Sequence, residues 1–149
     1  MHMPRVVPSP CVCMTLRKAS RAMTRIYDDA LAPAGLTIAQ FGVLRAIGRG
    51  DKKGMALSHL AETLVMDRTS LYRALRPMVR SGWLLIKEAP KGRAKIVQLS
   101  KAGIRATTTA SDIWHKVQSQ IMGEYGVGRW AQLHRAITEL TALGVKLGS

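Results

Sequence analysis

A mainly α-helical fold with one small β-hairpin is predicted by three observations. Apolar residues recur at three- and four-residue steps through most of the chain. Two β-prone runs, Trp83–Ala89 and Lys95–Leu99, flank a short basic tip with a glycine. The chain has 149 residues, 47% of them hydrophobic, which is enough for one domain with a real core.

The elements follow in order. Met1–Pro10 carries three prolines and no period, which predicts a loose arm ahead of a single domain at 11–149. A helix is predicted from about Cys11 to Leu31. Leu16, Ala19, Met23, Ile26, Tyr27 and Ala30 form its apolar stripe, with Arg17, Lys18, Arg21 and Arg25 mostly off it. Pro33 and Gly35 end it. Thr37 caps the next helix, Ile38–Gly48, with Phe41, Leu44 and Ile47 inward. Gln40 stands where a capping box needs it. Arg49–Gly54 is a polar loop.

Leu57–Gly82 then reads as two short helices joined by a tight turn. Leu57, Leu60, Ala61 and Leu64 share one helical face, and Val65–Met66–Asp67 breaks the pattern. Asp67 is placed to cap the second helix. There Leu71, Leu75, Met78 and Gly82 fall on one side, and Thr69, Arg73, Arg76 and Arg80 on the other. Pro77 removes an N–H inside this helix, which predicts a bend near Arg73–Pro77 or a loosened last turn. The hairpin follows, with Pro90–Ala94 as its tip. Ser100 starts a long helix whose stripe is Ala110, Ile113, Trp114, Val117 and Ile121. Tyr125–Gly128 interrupts it, and a last helix runs from about Arg129 to Leu147. Its seam is Trp130, Leu133, Ile137, Leu140 and Leu147, interrupted by Gly144. A basic hairpin directly after a helix–turn–helix is a wing. The order therefore predicts a winged helix–turn–helix unit at 37–99, flanked by N- and C-terminal dimerisation helices at 11–35 and 100–149. The central unit does not need the long terminal stripes for its own core, so they predict a symmetric homodimer.

Charge narrows the partner. Lys and Arg number 23 against 9 acidic residues, a formal charge of +14. In a small domain that surplus is a footprint for a polyanion, nucleic acid first. One Phe, three Tyr and three Trp are few stacking platforms, which favours duplex DNA over single strands. A helix with an apolar back and a front of Arg, Thr and Tyr suits the major groove, although a solvated basic face fits the same pattern. Other classes find little support. Cys11 and Cys13 give no disulfide framework. No apolar run reaches the length of a membrane span, and the N-terminus lacks a signal-peptide core. The cytoplasm is the default location. His2, His59, His115 and His134 are scattered and form no metal-ligand spacing. No phosphate-cradling glycine loop or nucleophile motif suggests an enzyme or a cofactor.

Three stretches carry a family resemblance: LAPAGLTIAQFGVLRAI (Leu31–Ile47), LSHLAETLVMDRTSLYRALRPMVRSGWL (Leu57–Leu84) and GRAKIVQLSKAG (Gly92–Gly103). In order and spacing the chain resembles the MarR family of bacterial transcription regulators, roughly from Cys13 to Leu147. The resemblance implies a sequence-specific repressor that binds duplex DNA at a pseudo-palindromic operator and is released by a small aromatic acid-like ligand. One departure stands out. An Asp that commonly precedes the wing arginine by two residues is replaced by Lys91, with Arg93 as the arginine.

The DNA-facing residues expected on this basis are Arg68, Thr69, Ser70, Tyr72, Arg73 and Arg76 of the second helix, and Lys91, Arg93 and Lys95 of the wing. Arg reads guanine with a two-pronged fork, and Ser and Thr read bases less selectively or hold phosphates. Tyr72 also suits the edge of the core. A wing arginine suits a narrow minor groove. For an effector, the resemblance points to Arg17, Arg21 and Tyr27, of which the two arginines are equally plain surface charge. In peroxide-sensing relatives a cysteine near the first helix is the sensor, held by tyrosines. Here it aligns with Cys13, and Tyr27 with one tyrosine, while two others fall on Arg17 and Ile38. A thiol-based repressor and an architectural DNA-coating protein with no sequence preference are thus the rival readings.

Overall fold

The computed structural model describes residues 10–149, so the arm expected at Met1–Pro10 lies outside the described residues except for Pro10. Helix α1 (Val12–Leu31) leads through a 3-10 turn (Ala32–Ala34) to α2 (Ile38–Gly48). A two-residue strand β1 (Met55–Ala56) precedes α3 (Leu57–Leu64) and α4 (Arg68–Arg80). Strands β2 (Leu84–Glu88) and β3 (Lys95–Leu99) form the hairpin, and α5 (Lys101–Tyr125) and α6 (Val127–Leu147) complete the chain. The expected mainly helical, winged architecture is present.

Local chemistry sets the boundaries. The Thr37 hydroxyl accepts from the Gln40 N–H at 3.1 Å, and Gln40 Oε1 accepts from the Thr37 N–H at 3.0 Å. This is a complete capping box. Asp28 of α1 adds a third acceptor, taking the Ile38 N–H at 2.7 Å. Asp28 therefore pins α1 to the start of α2. At the far end, the break between α5 and α6 is narrower than the Tyr125–Gly128 interruption predicted. Gly126 alone makes it, at φ 100°.

The sheet has three strands in the order β1-β3-β2, all antiparallel. Leu84 faces Leu99 and Ile86 faces Val97, while Met55 of β1 faces Val97 from the other side. Strand β1 is not predicted from the sequence, because two residues carry no period. The strand expected at Trp83–Ala89 contracts to Leu84–Glu88. Pro77 does not loosen α4. The helix runs through it to Arg80, and the Ser81 N–H closes the last turn on the Pro77 carbonyl at 2.9 Å.

The core lies inside the winged unit and against the first half of α5. Phe41, Leu44 and Ile47 of α2, Leu60 of α3, Leu71, Leu75 and Met78 of α4, Leu84 and Val97 of the sheet and Ala110 of α5 are all buried together. The terminal helices barely join it. Leu31 is the buried residue of α1, and α6 has none.

The first turn of α5 makes the tightest approach. A Cβ on Gly103 would fall inside the contact distance of the Trp83 carbonyl oxygen, with the Trp83 carbonyl carbon at 3.0 Å. Backbone cannot swing aside as a flexible side chain can. Gly103→Ala should therefore cost about 2 kcal/mol or more through overpacking. Urea titration should show a lower midpoint at an unchanged slope, and an unmoved midpoint would refute the close contact.

Candidate nucleic-acid interface

The turn between α3 and α4 is made by Val65, which sits in the left-handed region at φ 53° and ψ 46°. A β-branched residue there is strained. The turn is held all the same, because the Val65 and Met66 N–H groups donate to Glu62 and Ala61 carbonyls at 3.1 and 2.9 Å. The strand-like backbone of Asp67 then opens α4. Its carboxylate accepts from the Ser70 N–H at 2.8 Å and from the Ser70 hydroxyl at 2.6 Å.

This cap decides what the start of α4 presents. Leu71, Leu75 and Met78 face the core, so the opposite face is turned outward. Arg68, Thr69, Arg73 and Arg76 are exposed there. Ser70 is placed differently from the sequence expectation. Its hydroxyl proton is engaged by Asp67 and the residue is half-buried, so it serves the cap. Tyr72 is also half-buried and packs against the core. The ammonium of Lys95 lies 5.9 Å from its ring centroid, which links the recognition helix to the wing. Lys91, Arg93 and Lys95 are all exposed along the hairpin. Exposed cations thus run from the first turns of α4 to the wing tip, on a frame whose backbone is fixed by the sheet.

The residues expected for an effector are not brought together in this way. Arg17 and Arg21 are exposed on α1. Tyr27 lies about 15 Å further along the helix from Arg17. Its hydroxyl donates to Gln118 Oε1 of α5, and burial pushes its pKa up. Cys13 and Tyr27 are separated by about 21 Å of helix, so one chain does not place that tyrosine on that thiol. Cys11 and Cys13 are free and exposed. Among the described residues no cluster of His, Cys, Asp and Glu suits a metal ion, and no single helix is long and apolar enough to cross a membrane.

The MarR family model matches residues 34–94, from the turn before α2 to the tip of the wing. The transcriptional regulator MosR of M. tuberculosis, solved in complex with DNA, is 32% identical. It superposes with a TM-score of 0.83 over 93% of this chain and 98% of that one. The chain belongs to the MarR family. Two further MarR-family structures share the fold at lower identity. S. aureus MepR, in a DNA complex, is 16% identical with a TM-score of 0.77, covering 90% of this chain and 98% of its own. A mutant of E. coli MarR with operator DNA is 19% identical with a TM-score of 0.76, covering 87% and 92%. No curated protein gives a significant sequence match. The family and its structural relatives are transcription regulators.

The cap makes α4 sensitive to acid. Hydrogen bonds from the Ser70 hydroxyl and then the Ser70 N–H hold the Asp67 carboxyl below the ordinary carboxylate range. A carboxyl depressed in the folded state adds its stability in full above the unfolded pKa, and loses it as the pH falls through the folded one. Asp67→Ala should therefore melt below the wild type at neutral pH. The two curves should converge as the pH drops below about 4, the ordinary Asp value. A difference in melting temperature that is constant across this range would show that the carboxylate charge plays no part.

Proposed function

We propose that this MarR-family regulator binds a pseudo-palindromic site in duplex DNA as a cytoplasmic homodimer and represses transcription from it. The carrying observation is the row of exposed cations on α4 and the hairpin, opposite a face locked into the core. In this reading residues 37–99 are the DNA-reading unit. Arg73 reads a base in the major groove and Arg68, Thr69 and Arg76 hold its edges. Lys91, Arg93 and Lys95 follow the flanking backbone and minor groove. The DNA complex of MosR, at 32% identity, supports carrying this arrangement over.

The dimer reading rests on the terminal helices at 11–35 and 100–149. Leu16, Met23 and Ile26 of α1 are 38%, 43% and 44% exposed, and Leu133, Leu143 and Leu147 of α6 are 39%, 48% and 75% exposed. Apolar exposure of this extent on two long helices calls for a covering surface. A second copy supplies it symmetrically and spaces two recognition helices by one turn of DNA. A ligand releases such a repressor only if it binds the wrongly spaced state more tightly.

Binding measurements on operator and random duplexes test the DNA reading. Arg73→Ala should weaken operator binding by roughly 1–3 kcal/mol and leave random DNA little changed, as a base reader does. Lys91→Ala should weaken both alike and lower the salt slope by about one unit per monomer. Equal losses on both duplexes for Arg73→Ala would make it a phosphate contact instead.

A second reading is favoured by the exposure of both thiols. Here oxidation at Cys13, near the start of α1, is the releasing signal. Peroxide should then free the operator from the wild type and not from Cys13→Ser. Equal release from both would leave a bound ligand as the signal.

A further inference from the structure

Helix α5 touches the reading unit at its opening turn, where Gly103 lies against the Trp83 backbone, and again at Trp114. Trp114 stands about 16 Å further along the helix than Gly103. There α2 sends a charged side chain over the ring. The Arg45 guanidinium lies 4.3 Å from the Trp114 ring centroid, and 5.6 Å from that of Phe41 on its own helix. Phe41 and Trp114 are 6.4 Å apart and tilted by 44°.

This is a costly place for a cation. Burial first, and then the charge of Arg49, pull the Arg45 pKa below the ordinary arginine value. An arginine near a helix C-terminus is favoured with its charge in water beside the free carbonyls. One that only shields an apolar surface covers it with the stem and keeps the head in solvent. Arg45 is half-buried, and its guanidinium is the part that lies on the indole.

Two separated contacts fix an angle, where one fixes only a point. A swing of α5 by about 10° about Gly103 carries Trp114 through about 3 Å. A cation–π contact reaches to about 6 Å, so a swing of that size away from Arg45 ends it. Ala110 and Ile113 also pack on the core, but apolar burial is non-directional and tolerates sliding.

We propose that Arg45 is a positioning residue whose guanidinium, held on Trp114, sets the angle between the DNA-reading unit and α5. Through that angle it fixes the half-site spacing that the dimer accepts. Arg45 acts through α5 and not by contact with DNA. The spacing consequence rests on the dimer and DNA readings proposed above, whereas the angle does not.

Two measurements test this. The first needs no DNA. Double electron–electron resonance is read on the full chain carrying Cys11→Ser and Cys13→Ser. Spin labels are placed at Glu62→Cys on α3 and Glu124→Cys on α5, and the labelled chain is diluted with unlabelled chain. One narrow distance distribution is expected in this background and with Arg45→Lys, which keeps a cation on the ring. Arg45→Met keeps the stem and loses the charge, and should broaden or shift the distribution, as should Trp114→Leu. Lys116→Met, which removes an exposed cation from α5, should leave it unchanged. An unchanged distribution in Arg45→Met, or one equally broad in Arg45→Lys, would overturn the proposal.

The second compares operator duplexes whose half-sites stand at the native spacing or one base pair either side, with a single half-site as reference. Arg45→Met and Trp114→Leu should each reduce the preference for the native spacing by about fivefold, the weight of one desolvated cation–π contact. The double variant should lose no more than either alone, since both remove the same contact. Affinity for the single half-site should not change. Half-site affinity that falls along with the spacing preference would overturn the positioning role. So would a lowered melting temperature with the preference intact. If the wild type distinguished none of these duplexes, the DNA reading would fail, and the label distances would still decide the angle.

Discussion

The first turn of α5 rests on the backbone of Trp83, and the placement of the reading helix depends on that contact. The Trp83 carbonyl accepts from the Ser100 N–H at 3.0 Å, and Gly103 has no side chain to hold it off. The Ser100 hydroxyl donates to the Gly82 carbonyl and accepts from the Gly103 N–H, so one residue caps α5 and grips the end of α4. The Trp83 N–H donates back to Met78 at 3.1 Å. The last turn of α4, the first residue before β2, the end of β3 and the start of α5 thus meet at one hydrogen-bonded knot. A helix anchored in this way cannot tilt without moving α4. Packed elements switch between discrete arrangements, so a small shift of α5 becomes a change in where the recognition helix points.

Helix α1 is tied to the body by polar contacts as well as packing. Asp28 holds the start of α2, and the Tyr27 hydroxyl donates to Gln118 on α5. Neighbouring residues of α1 therefore fasten it to two different helices of the body. The N-terminal half of α1, by contrast, is exposed from Val12 to Ala22. A partner protomer bound along that half would act on a lever whose fulcrum is Tyr27–Asp28.

Much of this was legible in the sequence because its signals are periodic or tied to caps. Leu71, Leu75 and Met78 at helical spacing and Thr37, Asp67 and Ser100 at helix starts are local patterns, and the structure uses each as its residue type suggests. The basic face of α4 follows once the buried face is known. What stayed hidden depends on distance in the fold. Strand β1 exists only because β3 offers it an edge. Ser70 resembles a DNA contact until its hydroxyl is seen on Asp67. Arg45 looks like any surface cation until Trp114 arrives beneath it from a helix some seventy residues away. Among the described non-glycine residues only Val65 defies its local preference outright, and it does so at 59% exposure, where a strained residue loses little packing.

Charge sets the proposed dimer and the proposed DNA complex against each other. Each chain carries +14, and α1 alone bears Arg17, Lys18, Arg21 and Arg25, all exposed. Bringing two such chains together costs Coulomb energy that apolar contact must offset, and salt screens that repulsion over about 8–10 Å. Salt has the opposite effect on DNA, where it weakens binding by reducing the gain from counterion release. Duplex DNA resolves the conflict, because its phosphates neutralise the cations that drive the protomers apart. The dimer and its operator should therefore stabilise each other beyond simple pairing of half-sites.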